Sequence, residues 1–159
     1  MTQIIPFLWF EKDAEAAARF YVSLLPNSRL GQISALPVDT PSGPAGSVQV
    51  VDFTLAGQSY QAINAGPLDP FNHAVSFMIV CDSQAELDRI WDAHLKNGGN
   101  AEQCGWLKDR WGLYWQIIPR RLSEMMKSSD HAASERAAQA MLKMVKLDEA
   151  ALERAFNGA

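Results

Sequence analysis

The sequence predicts an α+β fold: two βαβββ modules, residues 1–66 and 71–120, followed by a helical appendage, residues 121–159. Two segments seventy positions apart read as copies of one strand-and-helix unit. The offset pairs Arg19 with Arg89, Phe20 with Ile90, Tyr21 with Trp91, Leu25 with Leu95 and Asn27 with Asn97. The last strand of each half repeats a skeleton of Gly, three residues and Gln: Gly57-Gln58-Ser59-Tyr60-Gln61 against Gly112-Leu113-Tyr114-Trp115-Gln116. After Ile118 the composition turns to Ala, Met, Lys, Arg and Glu, and strand-like runs end.

In chain order, Ile4 to Phe10 is nearly continuous apolar sequence and reads as a strand. Asp13 is placed to cap a helix carrying Ala14, Ala17, Ala18, Tyr21, Leu24 and Leu25, which Pro26 ends because it cannot continue the hydrogen-bond ladder. Strands follow at Leu30 to Leu36, Ser47 to Leu55 and Gln58 to Asn64, and the Pro- and Gly-rich stretch 37–46 is either a flap over a nearby cavity or plain surface. Residues 65–72 link the halves. Val75 to Cys81 then reads as a strand. Ser83 and Glu86 form a capping-box pair for a helix with Leu87, Ile90, Trp91, His94 and Leu95 on one face, stopped by Asn97-Gly98-Gly99.

The second module closes with strands at Gly99 to Gln103, Cys104 to Lys108 and Leu113 to Ile118, the last two joined by Asp109-Arg110-Trp111-Gly112, which suits a type I turn. Arg121 to Lys127 predicts a short helix. Asp130 caps one whose Ala133, Ala137, Met141, Met144 and Val145 share a face, and Asp148 caps a last one with Ala151, Leu152, Ala155 and Phe156. The appendage must bury its stripe against its own sheet or a second copy of the chain.

Composition removes several function classes. Hydrophobic residues are 48% of 159, enough for a core, and 14 basic against 18 acidic residues leave a net charge of −4, so no basic field exists for nucleic acid. No apolar stretch approaches the roughly 20 residues that span a bilayer, and the N-terminus lacks a basic region and cleavage site. With Cys81 and Cys104 too few and too distant for a disulfide framework or metal motif, the expectation is a reduced, cytoplasmic protein without a membrane partner. A Gly-rich strand-to-helix turn, a P-loop and a Gly-x-Ser-x-Gly elbow are all missing.

The doubled unit, with Arg19-Phe20-Tyr21, Arg89-Ile90-Trp91 and Asp109-Arg110-Trp111-Gly112, resembles the vicinal oxygen chelate superfamily, which includes glyoxalase I, extradiol dioxygenases and bleomycin-resistance proteins. The run from Cys104 through Pro119 is similar to the PhnB-like family, often labelled 3-demethylubiquinone-9 3-methyltransferase, and the resemblance extends over roughly the whole chain, tail included. It implies a glyoxalase/bleomycin-resistance/dioxygenase-like fold with a cup. In metal-dependent relatives, His and Glu on the first and last strands of each module hold a divalent cation there. Aligning the helices and turns puts Pro6, Gln61, Ser76 and Gln116 at those four positions. None is a strong ligand, so no metal and no cofactor are expected.

Gln61 and Gln116 lead the binding candidates. Period-two alternation turns each away from its aromatic neighbour, Tyr60 or Trp115, and a primary amide offers both a donor and an acceptor to a small polar ligand; the alternative is that they satisfy buried backbone. Ser76 and Tyr114 join them, with Trp106 as an aromatic shelf, Lys108 as a positive charge and Cys104 on the same face. His73 is either a surface residue at the start of its strand or a rescuing ligand for a metal-dependent lyase, isomerase or dioxygenase-like activity. Modules of the superfamily commonly pair, which implies a homodimer.

Overall fold

In the computed structural model, which describes residues 1–159, the chain divides into two compact units, Met1–Asp69 and Pro70–Ala159. The first contains β1 (Phe7–Phe10), α1 (Ala14–Leu24), β2 (Arg29–Ala35), β3 (Gln49–Leu55) and β4 (Gln58–Asn64). Its sheet has the order β1-β4-β3-β2, with β1 parallel to β4 and the other pairs antiparallel. Alternation buries Leu8, Phe10, Val51, Phe53, Leu55 and Ala62 under α1, whose stripe of Ala14, Ala17, Ala18, Tyr21 and Leu24 is equally buried.

Two local expectations are corrected here. The strand starts at Phe7 rather than Ile4: Ile4 is exposed, and Pro6, which has no N–H to give, contributes only its carbonyl, accepting from the Gln61 N–H at 3.0 Å. Asp13 does not cap α1 with its side chain. Its backbone is not extended (φ −113°, ψ 23°), and Asn64 Oδ1, from the end of β4, accepts from the Ala14 N–H instead at 2.6 Å. The 37–46 loop closes on itself through a Thr40–Gly43 bridge and an Ala45 N–H to Asp39 Oδ1 bond, and lines neither cavity described below.

The second unit repeats the order with β5 (Ser76–Cys81), α2 (Gln84–Lys96), β6 (Asn100–Ala101), β7 (Trp106–Lys108) and β8 (Tyr114–Pro119). The sheet order is β5-β8-β7-β6, with β5 parallel to β8. Ser83 Oγ accepts from the Glu86 N–H as a capping box requires, while the Glu86 carboxylate reaches back one residue further, to the Asp82 N–H. The turn forms with Gly112 N–H donating to the Asp109 carbonyl. Asp109 is only 2% exposed: Oδ1 accepts from the Trp111 and Leu113 N–H groups and Oδ2 from Trp115 Nε1, so one carboxylate both shapes the hairpin and fixes an indole of the core.

The tail forms α3 (Arg120–Met126), α4 (His131–Met141) and α5 (Glu149–Asn157), the last two capped by Asp130 and Asp148 as their spacing predicts. His131 is the first residue of α4. The apolar stripe is buried within its own unit, at Leu122, Met125, Ala133, Ala137, Leu147 and Leu152. Met144 and Val145, expected on the α4 face, lie beyond its end. Their carbonyls accept from the Cys104 and Gly105 N–H groups, each at 2.8 Å, stitching the tail to the β6–β7 loop. Gly105 permits that approach: its φ is +81°, and a β-carbon there would stand 2.9 Å from Leu147 Cδ1 and 3.0 Å from the Ile117 carbonyl.

Candidate functional site

Each sheet buries one face beneath its helix and leaves the other for chemistry. In the first unit the free face carries a level row of Phe7, Gln61 and Asp52 across β1, β4 and β3. Gln61 Nε2 donates to Asp52 Oδ1 at 2.8 Å, while the neighbouring Tyr60 ring stacks on Phe53 at 5.4 Å on the helical side. The amide therefore lies on the expected face. The surrounding hollow, about 300 Å³, is polar: Arg29, Gln32, Asp52, Thr54 and Ser59 line it with Gln61. Gly31 is necessary to its shape, because a β-carbon there would come within 2.9 Å of the Asp52 carbonyl oxygen, and the β2–β3 register slips between Leu30 and Ile33.

In the second unit the corresponding rows are Ser76, Tyr114 and Lys108, then Met78, Gln116 and Trp106. Gln116 Nε2 donates to Ser76 Oγ at 2.9 Å. The opposite row, Phe77, Trp115 and Leu107, faces α2, where the Trp115 ring lies 5.3 Å from that of His94. Over the Gln116 face the tail helices wall an open-sided cavity of about 370 Å³, lined by Met78, Cys104, Trp106, Gln116 and Ile118 from the sheet side and by Leu122, Ser123, Met126, Lys127 and Met141 from α3, its end and α4. The structure thus gathers Gln116, Trp106 and Cys104 on one cavity wall, with Ser76 behind Gln116, and puts Tyr114 and Lys108 one row along the same face. This wall is more apolar than alternation alone suggests, because α3 and α4 contribute Leu and Met side chains.

His73 stacks on Tyr114 with ring centroids 3.8 Å apart, and its Nε2 lies 2.9 Å from Glu102 Oε2. The pair rests on the surface, and no third ligand joins it. His94 is only 1% exposed, and burial pushes its imidazole down to about 4, so it is neutral near pH 7 and belongs to the core beneath Trp115. Burial, reinforced by Glu86 and Asp82, pushes the Cys81 thiol up to about 12. Cys104, half-buried on the cavity wall, is the accessible thiol.

Sequence reasoning missed Asp52, the partner of Gln61, because nothing local to Gln61 indicates which residue of a neighbouring strand stands level with it. It also missed Glu102, for the same reason, and the second role of Asp109. A signal for the last was present: Asp at the first position of the turn, six residues before a core tryptophan whose indole N–H needs an acceptor.

With this geometry in view, a family profile described as 3-demethylubiquinone-9 3-methyltransferase matches residues 2–118. The chain belongs to this PhnB-like family. A PhnB protein from Bacillus cereus, provisionally described as a 3-demethylubiquinone-9 3-methyltransferase, is 27% identical and superposes with a TM-score of 0.63 over 74% of this chain and 99% of that one. Protein PA1353 from Pseudomonas aeruginosa is 23% identical, with a TM-score of 0.56 over 75% and 98% of the two chains. The trypanothione-dependent glyoxalase I of Leishmania major, 11% identical, shares the fold alone, with a TM-score of 0.53 over 87% and 99%. No curated protein sequence matches. The fold is that of the glyoxalase/bleomycin-resistance/dioxygenase, or vicinal oxygen chelate, superfamily. The matched stretch ends at residue 118, just before α3.

The residues present do not fit the superfamily's cation. Pro6 has no donor side chain, and the residues level with Gln61 and Gln116 on the first strands are Phe7 and Met78, about half exposed at 51% and 52%. Gln61 is engaged with Asp52 and Gln116 with Ser76, and nowhere in the chain do three or more His, Cys, Asp or Glu side chains converge as ligands. Neither mixed sheet is the doubly wound parallel type that binds a nucleotide-like methyl donor at a Gly-rich turn. No helix is long and apolar enough to cross a membrane.

Proposed function

We propose that this protein binds a small organic molecule in the cavity of the second unit, by packing and hydrogen bonding rather than through a divalent cation. The observation that carries the reading is the open-sided hollow of about 370 Å³ with Gln116 and Trp106 on its wall. That volume falls within the range of about 300–1,000 Å³ usual for ligand pockets, and one or two fixed polar groups among apolar walls is the usual lining. Ser76 holds the Gln116 amide in one orientation, so the site presents a preset carbonyl and a remaining N–H. Tyr114 and Lys108 stand one row along the same sheet face, outside the cavity lining. Gln61, held by Asp52 in the first unit, has no part in this reading.

The two thiols provide a test. A disulfide reagent is expected to modify Cys104 and spare Cys81, and a bound ligand to slow that modification while quenching tryptophan emission. Labelling of Cys104 at one rate whatever small molecule is present would overturn the reading. Elemental analysis of protein purified without chelator is expected to find far less than one divalent cation per chain; a stoichiometric, tightly held ion would restore a metal-dependent activity. A homodimer belongs to the same proposal, supported by the exposed apolar residues Val75, Leu142 and Val145. Light scattering is expected to give twice the 17.6 kDa chain mass, and the single-chain mass would contradict it.

A further inference from the structure

We propose that the ligand of the second-unit cavity is an amphipathic monocarboxylate, an apolar body with one anionic end, and that the C-terminal helices select it. This rests on the binding reading above. The family match ends at residue 118, whereas one whole wall of the cavity comes from later residues: Leu122, Ser123, Met126, Lys127 and Met141. The sheet wall, with Gln116 and Trp106, is the family's part of the hollow. The opposing wall comes from the tail, and its side chains set which ligand fits against the sheet wall.

Two properties of that wall fix the ligand class. Its apolar part is Leu and unbranched thioether side chains, which adapt to flexible or planar hydrocarbon better than a wall of branched residues, and Trp106 opposite offers a ring face. Its charge is wholly positive. Lys127 is the single charged residue of the lining, and no Asp or Glu joins it. The ion pairs of the tail join Arg121 to Glu124 and Glu153 and Lys146 to Asp88, and none takes up Lys127. An exposed ammonium beside an apolar hollow attracts an anionic end and repels a cationic one. The Ser123 hydroxyl and the second N–H of Gln116 are further donors to a carboxylate, and the first N–H is already committed to Ser76.

The test uses the full-length protein and three probes with one apolar body and different ends: 4-phenylbutyrate, 4-phenylbutyramide and 4-phenylbutylamine, titrated by calorimetry and tryptophan emission. The acid is expected to bind tightest and the amine weakest. Lys127→Gln, a change at an exposed position, is expected to weaken the acid about three- to fivefold, as loss of a solvent-exposed ion pair should, while the amide changes less than about twofold. If acid and amide bind equally and Lys127→Gln leaves their ratio unchanged, the anionic assignment falls while the cavity reading stands. If all three fail to bind, and fail to protect Cys104 from modification, the cavity reading falls and takes this inference with it.

Discussion

The two units use one strand order and finish differently. The free face of the first sheet remains an open polar hollow where Gln61 is held by a charged partner, Asp52; that of the second is roofed by α3 and α4 and becomes an apolar cavity where Gln116 is held by a neutral one, Ser76. The same shelf therefore occurs twice, and the residues after 118 add a second wall to one of them. The hairpins diverge too. The first turns tightly at Ala56 and Gly57, both at positive φ, whereas the second is longer and built around buried Asp109.

That difference is sharpest at Asp109. Asp109→Ala strips the acceptor from three donors, two backbone amides and an indole, and is expected to cost about 4 kcal/mol, read from denaturant unfolding. Ala56→Gly, in the other hairpin, is expected to change stability by less than about 1 kcal/mol, since glycine accepts the φ of +47° that alanine holds there. Equal losses at the two turns would erase the distinction.

The helices differ in the same way, because the seventy-residue offset sets His94 of α2 against Leu24 of α1, both buried. The folded-state pKa of His94, about 4, lies below its ordinary 6.5, so the folded protein binds fewer protons than the unfolded chain between those values. Its neutral-state advantage is complete above about pH 6.5 and declines as pH falls toward 4, by about 3 kcal/mol in all. Stability curves of wild type and His94→Leu, which gives the second helix the first helix's residue, are expected to diverge by that amount across this window. Parallel curves would show that the imidazole titrates normally in the fold.

A smaller effect is expected at Gly105. Gly105→Ala drives a methyl against Leu147 and the Ile117 carbonyl at a positive φ, at a cost on the order of 2 kcal/mol, together with weaker ligand binding as the tail shifts. The smallest is at the paired amides. Gln61→Leu and Gln116→Leu are each expected to cost about 1 kcal/mol or less, since Asp52 and Ser76 are only partly buried and regain water. For Gln116→Leu the more telling readout is a loss of ligand affinity of about tenfold.

Much of this was legible beforehand. The doubled module, all eight strands to within a few residues and the caps at Ser83, Asp130 and Asp148 follow from periodicity and side-chain chemistry, because those features are written in neighbouring residues. The faces of Gln61, Gln116 and Trp106 follow from alternation. What escaped depends on residues distant in sequence. Asn64 displaced Asp13 as the α1 cap from fifty residues away, Asp52 claimed Gln61 through strand register, and the roof over Gln116 required knowing which face the tail would cover. Met144 and Val145 fit the helical stripe, yet their carbonyls bond instead to the Cys104 and Gly105 amides, which the local pattern could not reveal.

Those two tail-to-loop bonds also bear on exchange. Main-chain bonds just past α4 anchor the wall that the tail adds to the open-sided hollow, so a ligand would enter without helix displacement, meeting only rotamer changes of the exposed Met126 and Lys127. Such side-chain motions take picoseconds to nanoseconds, far faster than helix displacement. Stopped-flow mixing should therefore show a single bimolecular phase with no slow gating step.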